Sequence, residues 1–437
     1  MHNYRLAPVR PATRPAVAVP HPSPTLAAVD PSTRLGKGPQ MILRRWMAAG
    51  LVAVATAGVL NAVPATAQRP YDPTAQSLRA LGQRHGLYVG TAVDMAALND
   101  AAEPRYREIV RDEFSTVTAE NVMKWESLEP TRGTYDWSAA DELVATARRN
   151  GQKVRGHVLV WHSQLPKWLT DGVADGSIDN TELRSILRQH ITTVASRYRG
   201  KIWQWDVVNE AVSDPWDTPS TLHYKGFWAE HLGPGYVADA FRWARAADPT
   251  ALLFYNDYNI EAFGSGDPAN DKTQFVYDMV KGLLARGVPI DGVGSQGHLG
   301  TQYGNYDTLQ VADALHRFAG LGLSTAFTEV DVRSRLTDGV QAGDSEEINP
   351  RLQASAANFH VLLQACLAEP RCLSFTVWGF TDRHSWVPGT FDDPPQGLAT
   401  IYDENYQPKR AYQVMKADLI YAGPPYVRMR ATPKPRR

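Results

Sequence analysis

The stretch Trp203-Gln-Trp-Asp-Val-Val-Asn-Glu210 is an apolar, strand-like run that ends on a carboxylate, and Thr325-Ala-Phe-Thr-Glu-Val-Asp-Val332 carries a second glutamate at Glu329. Neither run shows the strict polar alternation of a half-exposed strand, so both read as strands buried on two faces. Similar runs rich in Val, Ile, Phe and Tyr begin near Leu87, Ser115, Lys153, Ile202, Ala251, Ile290, Ser324 and Leu373. Between them lie amphipathic stretches, clearest at 137–151, 181–200, 236–248, 273–287, 308–322 and 356–369, several of them closed by Gly or Asp-Pro. Eight such strand–helix beats predict an α/β chain folded as a (β/α)8 TIM barrel, with its active site at the C-terminal ends of the strands. A doubly wound dinucleotide-binding sheet fits less well, because Val89-Gly-Thr-Ala-Val-Asp94 lacks the required glycine spacing.

Polar residues gather where these strands should end: Glu120, Asn121, His157, His162, Asn209, Glu210, Asn256, Asp257, Gln296, His298, Glu329, Asp331 and Asp382. One such residue is commonly a helix cap; all of them together describe a polar mouth. Glu210 closes the fourth run and Glu329 lies in the seventh, which places them across that mouth from one another. Each alone could be a salt bridge at the barrel rim. As a pair, they are the minimum equipment for cleaving a glycosidic bond. The chain also holds 12 Trp and 18 Tyr, whose flat faces suit sugar rings.

The bulk composition supports a large core, with 43% hydrophobic and 21% charged residues among 437. A formal net charge of −1 gives no electrostatic drive toward nucleic acid or an anionic membrane. Residues 1–40 are rich in Pro, Ala and Arg, and read as a disordered or mis-annotated extension. Met41-Ile-Leu-Arg-Arg45, the apolar run 46–60 and Ala65-Thr-Ala67 form the layout of a secretory signal peptide over 41–67. The apolar run is short for a bilayer span, and an uncleaved anchor is the alternative. A short lead-in at 68–80, a barrel domain at 81–420 and a basic, Pro-rich tail at 421–437 complete the layout. In an oxidising compartment Cys366 and Cys372 are expected to pair, two free buried thiols being the alternative. No cysteine or histidine spacing suggests a metal site, and no cofactor is expected.

The ordered motifs Ala119-Glu-Asn-Val-Met-Lys-Trp125, Gly156-His-Val-Leu-Val-Trp-His-Ser-Gln-Leu-Pro166, Trp205-Asp-Val-Val-Asn-Glu-Ala211, Tyr255-Asn-Asp-Tyr-Asn259, Gly294-Ser-Gln-Gly-His-Leu299, Thr328-Glu-Val-Asp-Val332 and Thr376-Val-Trp-Gly379 resemble glycoside hydrolase family 10. That family comprises retaining endo-β-1,4-xylanases on a (β/α)8 barrel, and the resemblance runs from about Leu81 to Leu419. It implies an enzyme acting on xylan and xylo-oligosaccharides, with Glu210 as acid/base and Glu329 as nucleophile; secretion is expected from the 41–67 layout, and a monomer is expected. In such an enzyme the carboxyls stand about 5–5.5 Å apart. By the same resemblance Asn209 meets the sugar 2-hydroxyl, and His298, with Gln296 nearby, holds the nucleophile. His157 and Trp161, read as two positions on one face of the third strand, line the cleavage subsite beneath Trp378 and Trp386. Glu120, Asn121 and Lys124 bind on the non-reducing side, and Tyr258 stacks on the leaving-group side. Another retaining barrel glycosidase such as a β-1,4-glucanase, or a non-catalytic polysaccharide-binding barrel, is the alternative. The segments 212–233 and 381–396 depart most from the family pattern, which leaves preferences for chain length and decoration open.

Overall fold

The computed structural model describes residues 73–217, 221–264, 271–336 and 350–423. The expected N-terminal extension and signal segment, and the basic tail beyond 423, lie outside the described residues. Eight strands carry the fold: β1 (Tyr88–Val93), β2 (Thr116–Ala119), β3 (Lys153–Gly156), β4 (Gln204–Asn209), β5 (Leu252–Asp257), β6 (Gly292–Ser295), β7 (Ser324–Arg335) and β8 (Cys372–Val377). Each pairs in parallel with the next. Strand β8 returns to pair with β1, Thr376 opposite Gly90, so the sheet is closed. This is the predicted (β/α)8 barrel.

The six amphipathic stretches appear as helices Ser138–Arg149, Asn180–Arg197, Gly235–Ala247, Lys272–Ala285, Thr308–Gly320 and Pro350–Ala368. Three begin on an aspartate, Asp179, Asp271 or Asp307, whose side chain accepts from backbone amides of the first turn. That satisfies donors the helix cannot pair internally. The last helix starts six residues before the expected 356–369 pattern. The helix Leu78–Arg84 starts inside the expected lead-in and buries Leu78 and Leu81 completely. Their burial places the edge of the packed barrel earlier in the chain than residue 81. No helix among the described residues is long and apolar enough to cross a membrane.

The main hydrophobic cluster packs strands against helices and includes the fully buried Trp205, Tyr198 and Phe241. A separate small cluster, Leu252, Phe254, Ala326 and Leu373, is drawn from three barrel strands. Phe254 pairs with Gly292, and a Cβ at that glycine would meet the phenyl ring at 2.3 Å. The ring therefore occupies the space a side chain would take. Losing a ring from such a packed site costs about 3–5 kcal/mol. Cys366, near the end of helix Pro350–Ala368, is disulfide-bonded to Cys372, the first residue of β8.

Candidate active site

Every residue to which the family resemblance gives a catalytic or sugar-binding role lines one cleft of about 610 Å³, whereas His162, Asn256, Asp257, Asp331 and Asp382 of the expected polar mouth are not part of its lining. Glu210 follows the last residue of β4, and Glu329 lies within β7 at 4% exposure. The two carboxylates keep different company. Glu210 Oε2 accepts from Trp161 Nε1 at 2.8 Å, while its Oε1 accepts from Asn209 Nδ2 at 3.0 Å and Gln296 Nε2 at 2.9 Å. All three donors are neutral. Glu329 Oε1 accepts from Arg155 Nη2 at 3.0 Å and Asn256 Nδ2 at 2.8 Å, and its Oε2 lies 3.3 Å from His298 Nε2.

Burial alone would raise the Glu329 carboxyl. The charge of His157, the hydrogen bond from His298 and the guanidinium of Arg155 overcome that and hold it well below the usual carboxylate range. His298 is buried too, which would lower it. Asp331 at 2.9 Å, followed by Glu329, outweighs burial and pushes the imidazole up to about 10. His298 is therefore cationic at neutral pH and donates from both ring nitrogens. Asp331 Oδ2 also accepts from Trp386 Nε1 at 2.7 Å, so one carboxylate orients both the histidine and the tryptophan. The Trp386 ring stands 5.0 Å from that of His298, and the Trp378 ring 5.2 Å from that of His157.

Also lining the cleft, Lys124 Nζ donates to Asn121 Oδ1 at 2.9 Å and lies 5.0 Å over the Trp161 ring. Burial lowers the Lys124 ammonium, opposed by Glu329, Glu120 and Glu210. Burial, reinforced by Asp94, raises Glu120 to about 7. The Tyr258 hydroxyl donates to Asp214 and accepts from Lys225 Nζ at 2.8 Å.

Two local expectations are corrected. His157 and Trp161 do not share a continuous strand, because β3 ends at Gly156. The chain turns His157 inward so that its Nδ1 bonds Asp206, then re-anchors through Leu159 N to Asp206 O and a bridge from Val160 to Val208. Both rings still reach the cleft, 6.3 Å apart. Nor do Gln296 and His298 lie on one strand face. Gly297 between them has φ +77°, and a Cβ there would meet Val330 Cγ2 at 3.1 Å. β6 has already ended at Ser295, and this left-handed residue turns the chain between the two side chains, so Gln296 bonds Glu210 while His298 meets Glu329.

The sequence reading missed Arg155 and Asp206 altogether, and took Asn256 and Asp331 only as generic strand-end residues. Arg155 stands between Val154 and Gly156, two positions before His157; a cation inside the strand was the available signal. His157, Asp206 and Glu329 present ligand atoms within 4.8 Å of one another, the spacing of a metal site. The Arg155 guanidinium bonds both carboxylates, so a fixed cation already compensates them and the set does not fit an added one.

A closed barrel with an ionised and a neutrally held carboxyl facing each other across a tryptophan-lined cleft defines a glycosidase type of site. The profile of glycosyl hydrolase family 10 matches residues 77–418, and the chain belongs to that family. It is 40% identical over 337 residues to endo-1,4-beta-xylanase B of Thermotoga neapolitana, covering 77% of this chain and 89% of that one. Endo-1,4-beta-xylanase of Agaricus bisporus is 39% identical, with 77% and 92% covered. Among solved structures, xylanase 10B from Thermotoga petrophila in complex with xylobiose superposes with a TM-score of 0.70 at 38% identity, covering 79% of this chain and 97% of that one.

Proposed function

We propose that this protein is a secreted endo-1,4-β-xylanase that hydrolyses internal bonds of xylan and xylo-oligosaccharides by a retaining double displacement. The reading is carried by the asymmetry of the carboxylates, set within a family whose cited relatives are xylanases. Glu329, ringed by Arg155 and His298, stays ionised and attacks the anomeric carbon. Glu210, held by neutral donors alone, can carry a proton to the leaving oxygen and later take one from water. Asn209 and Gln296 fix the Glu210 carboxyl and face the sugar at the bond to be cleaved. His157, Trp161, Trp378 and Trp386 enclose the sugar beside it. Glu120, Asn121 and Lys124 hold hydroxyls on the non-reducing side, and Tyr258 meets the leaving portion. The protein is proposed to act as a monomer, exported by the 41–67 segment.

Xylose lacks the hydroxymethyl group of glucose, and Trp378 and Trp386, whose rings stand 6.2 and 5.0 Å from that of His298, should crowd one. Aryl β-xylobioside should therefore be turned over at least about tenfold more efficiently than aryl β-cellobioside, the discrimination that filling a shaped pocket supplies. Equal or reversed efficiencies, or xylan binding without new reducing ends, would overturn the assignment.

A further inference from the structure

Helix Lys272–Ala285 opens on a lysine that does not line the cleft and is 3% exposed. Its Nζ lies 2.9 Å from Asp257 Oδ1, 3.3 Å from Asp214 Oδ1 and 3.7 Å from the centroid of the Tyr258 ring. An ammonium buried between two carboxylates and an aromatic face is held by all three, and removing it leaves buried Asp257 without this cation and Asp214 paired with Lys225 at 3.5 Å. The partners sit on the chain just past β4 (Asp214) and at the end of β5 (Asp257, Tyr258).

From there two routes lead to the cleft. Asp257 Oδ2 accepts from the Tyr255 hydroxyl at 2.5 Å, and that hydroxyl oxygen accepts the Ala211 amide at 3.2 Å. The Glu210 amide donates to Asn256 O at 2.9 Å. Both amides flanking the Glu210 Cα are thus tied to β5. Glu210 has φ +55°, a left-handed conformation that is unfavourable for a non-glycine residue and persists only where neighbours fix it. The second route is shorter. Asp214 accepts from the Tyr258 hydroxyl and from Asn259 Nδ2 at 3.2 Å.

We propose that Lys272 is a positioning residue for the reaction, clamping the β4 and β5 ends together from outside the cleft and so fixing the backbone of Glu210 and the ring of Tyr258. This rests on Glu210 being the proton donor. A donor whose backbone has slackened protonates the leaving oxygen less well, and a misplacement of about 1 Å is enough to slow the step. Substrates that need protonation should suffer, whereas those with an activated leaving group should not.

The test compares kcat/KM of the full chain on phenyl and dinitrophenyl β-xylobioside. Lys272→Met should lose about tenfold or more on the phenyl substrate and less than about threefold on the dinitrophenyl one. Equal losses on both, or no loss on either, would overturn the proposal. Tyr255→Phe removes only the hydroxyl link and should show the same split at smaller amplitude; if Lys272→Met does not accumulate as folded protein, this variant decides alone by the same criteria. Glu210→Ala on the same pair separates the two layers. A uniform loss there would contradict the donor assignment, whereas a split there without one in the clamp variants contradicts the role of Lys272.

Discussion

Glu329 and Glu210 carry the same functional group, and what differs is the charge of their neighbours. Three cationic or cation-forming groups face the first and none hydrogen-bonds the second. Glu120 adds a third carboxyl with its own behaviour, raised to about 7 by burial and Asp94. A carboxylate accepts stronger hydrogen bonds from sugar hydroxyls than its neutral acid does. The KM for xylo-oligosaccharides should therefore fall as pH rises through 7, and Glu120→Gln should flatten that dependence. The stability linkage has the opposite sign. A raised carboxyl resists ionising in the fold, so its penalty is absent below the ordinary value of 4.5 and grows as pH rises toward 7. Glu120→Gln should accordingly be more stable than the parent above pH 7. A KM profile unchanged by the glutamine would contradict the binding statement, and equal denaturant midpoints for the two proteins at pH 8 would contradict the stability statement. At this scale most residues of the cleft were legible because they sit at or just past a strand end in a recognisable motif; Trp386, in the loop after β8, is the exception. Arg155 and Asp206 were not, since inward-facing positions inside a strand look like core until a partner from another strand meets them.

Among the elements, strand order and helix order follow the sequence pattern closely, because apolar periodicity and turn residues fix both. The errors lie where strands stop. The end of β3 at Gly156 and the break at Gly297 are set by tertiary hydrogen bonds to β4 and β7, which no local pattern encodes. These interruptions are also what aims His157, Gln296 and His298 in separate directions. The disulfide joins helix Pro350–Ala368 to β8 across a sequence separation of 6. Closing so short a loop stabilises by about 2 kcal/mol on the chain-entropy account. Replacing both cysteines by alanine should lower the denaturant midpoint by that equivalent and leave kcat at ambient temperature unchanged. An unaltered midpoint would show that the bond contributes nothing to stability.

For the whole molecule, the barrel gathers residues from β2 through β8 into one mouth, and the carboxylates on β4 and β7 meet through the amides of Asn209, Asn256 and Gln296. Export through the 41–67 segment predicts that the secreted protein begins at Gln68; N-terminal sequencing that found another start would contradict the processing proposed. The central claim is that the two glutamates act unequally, one as nucleophile and one as proton donor. Its most direct test is the anomeric configuration of the first product, followed by NMR during xylo-oligosaccharide hydrolysis before mutarotation. The account predicts that the β-anomer appears first, as two successive displacements require. An α-anomer appearing first would mean that water attacks directly and that Glu329 is not a nucleophile.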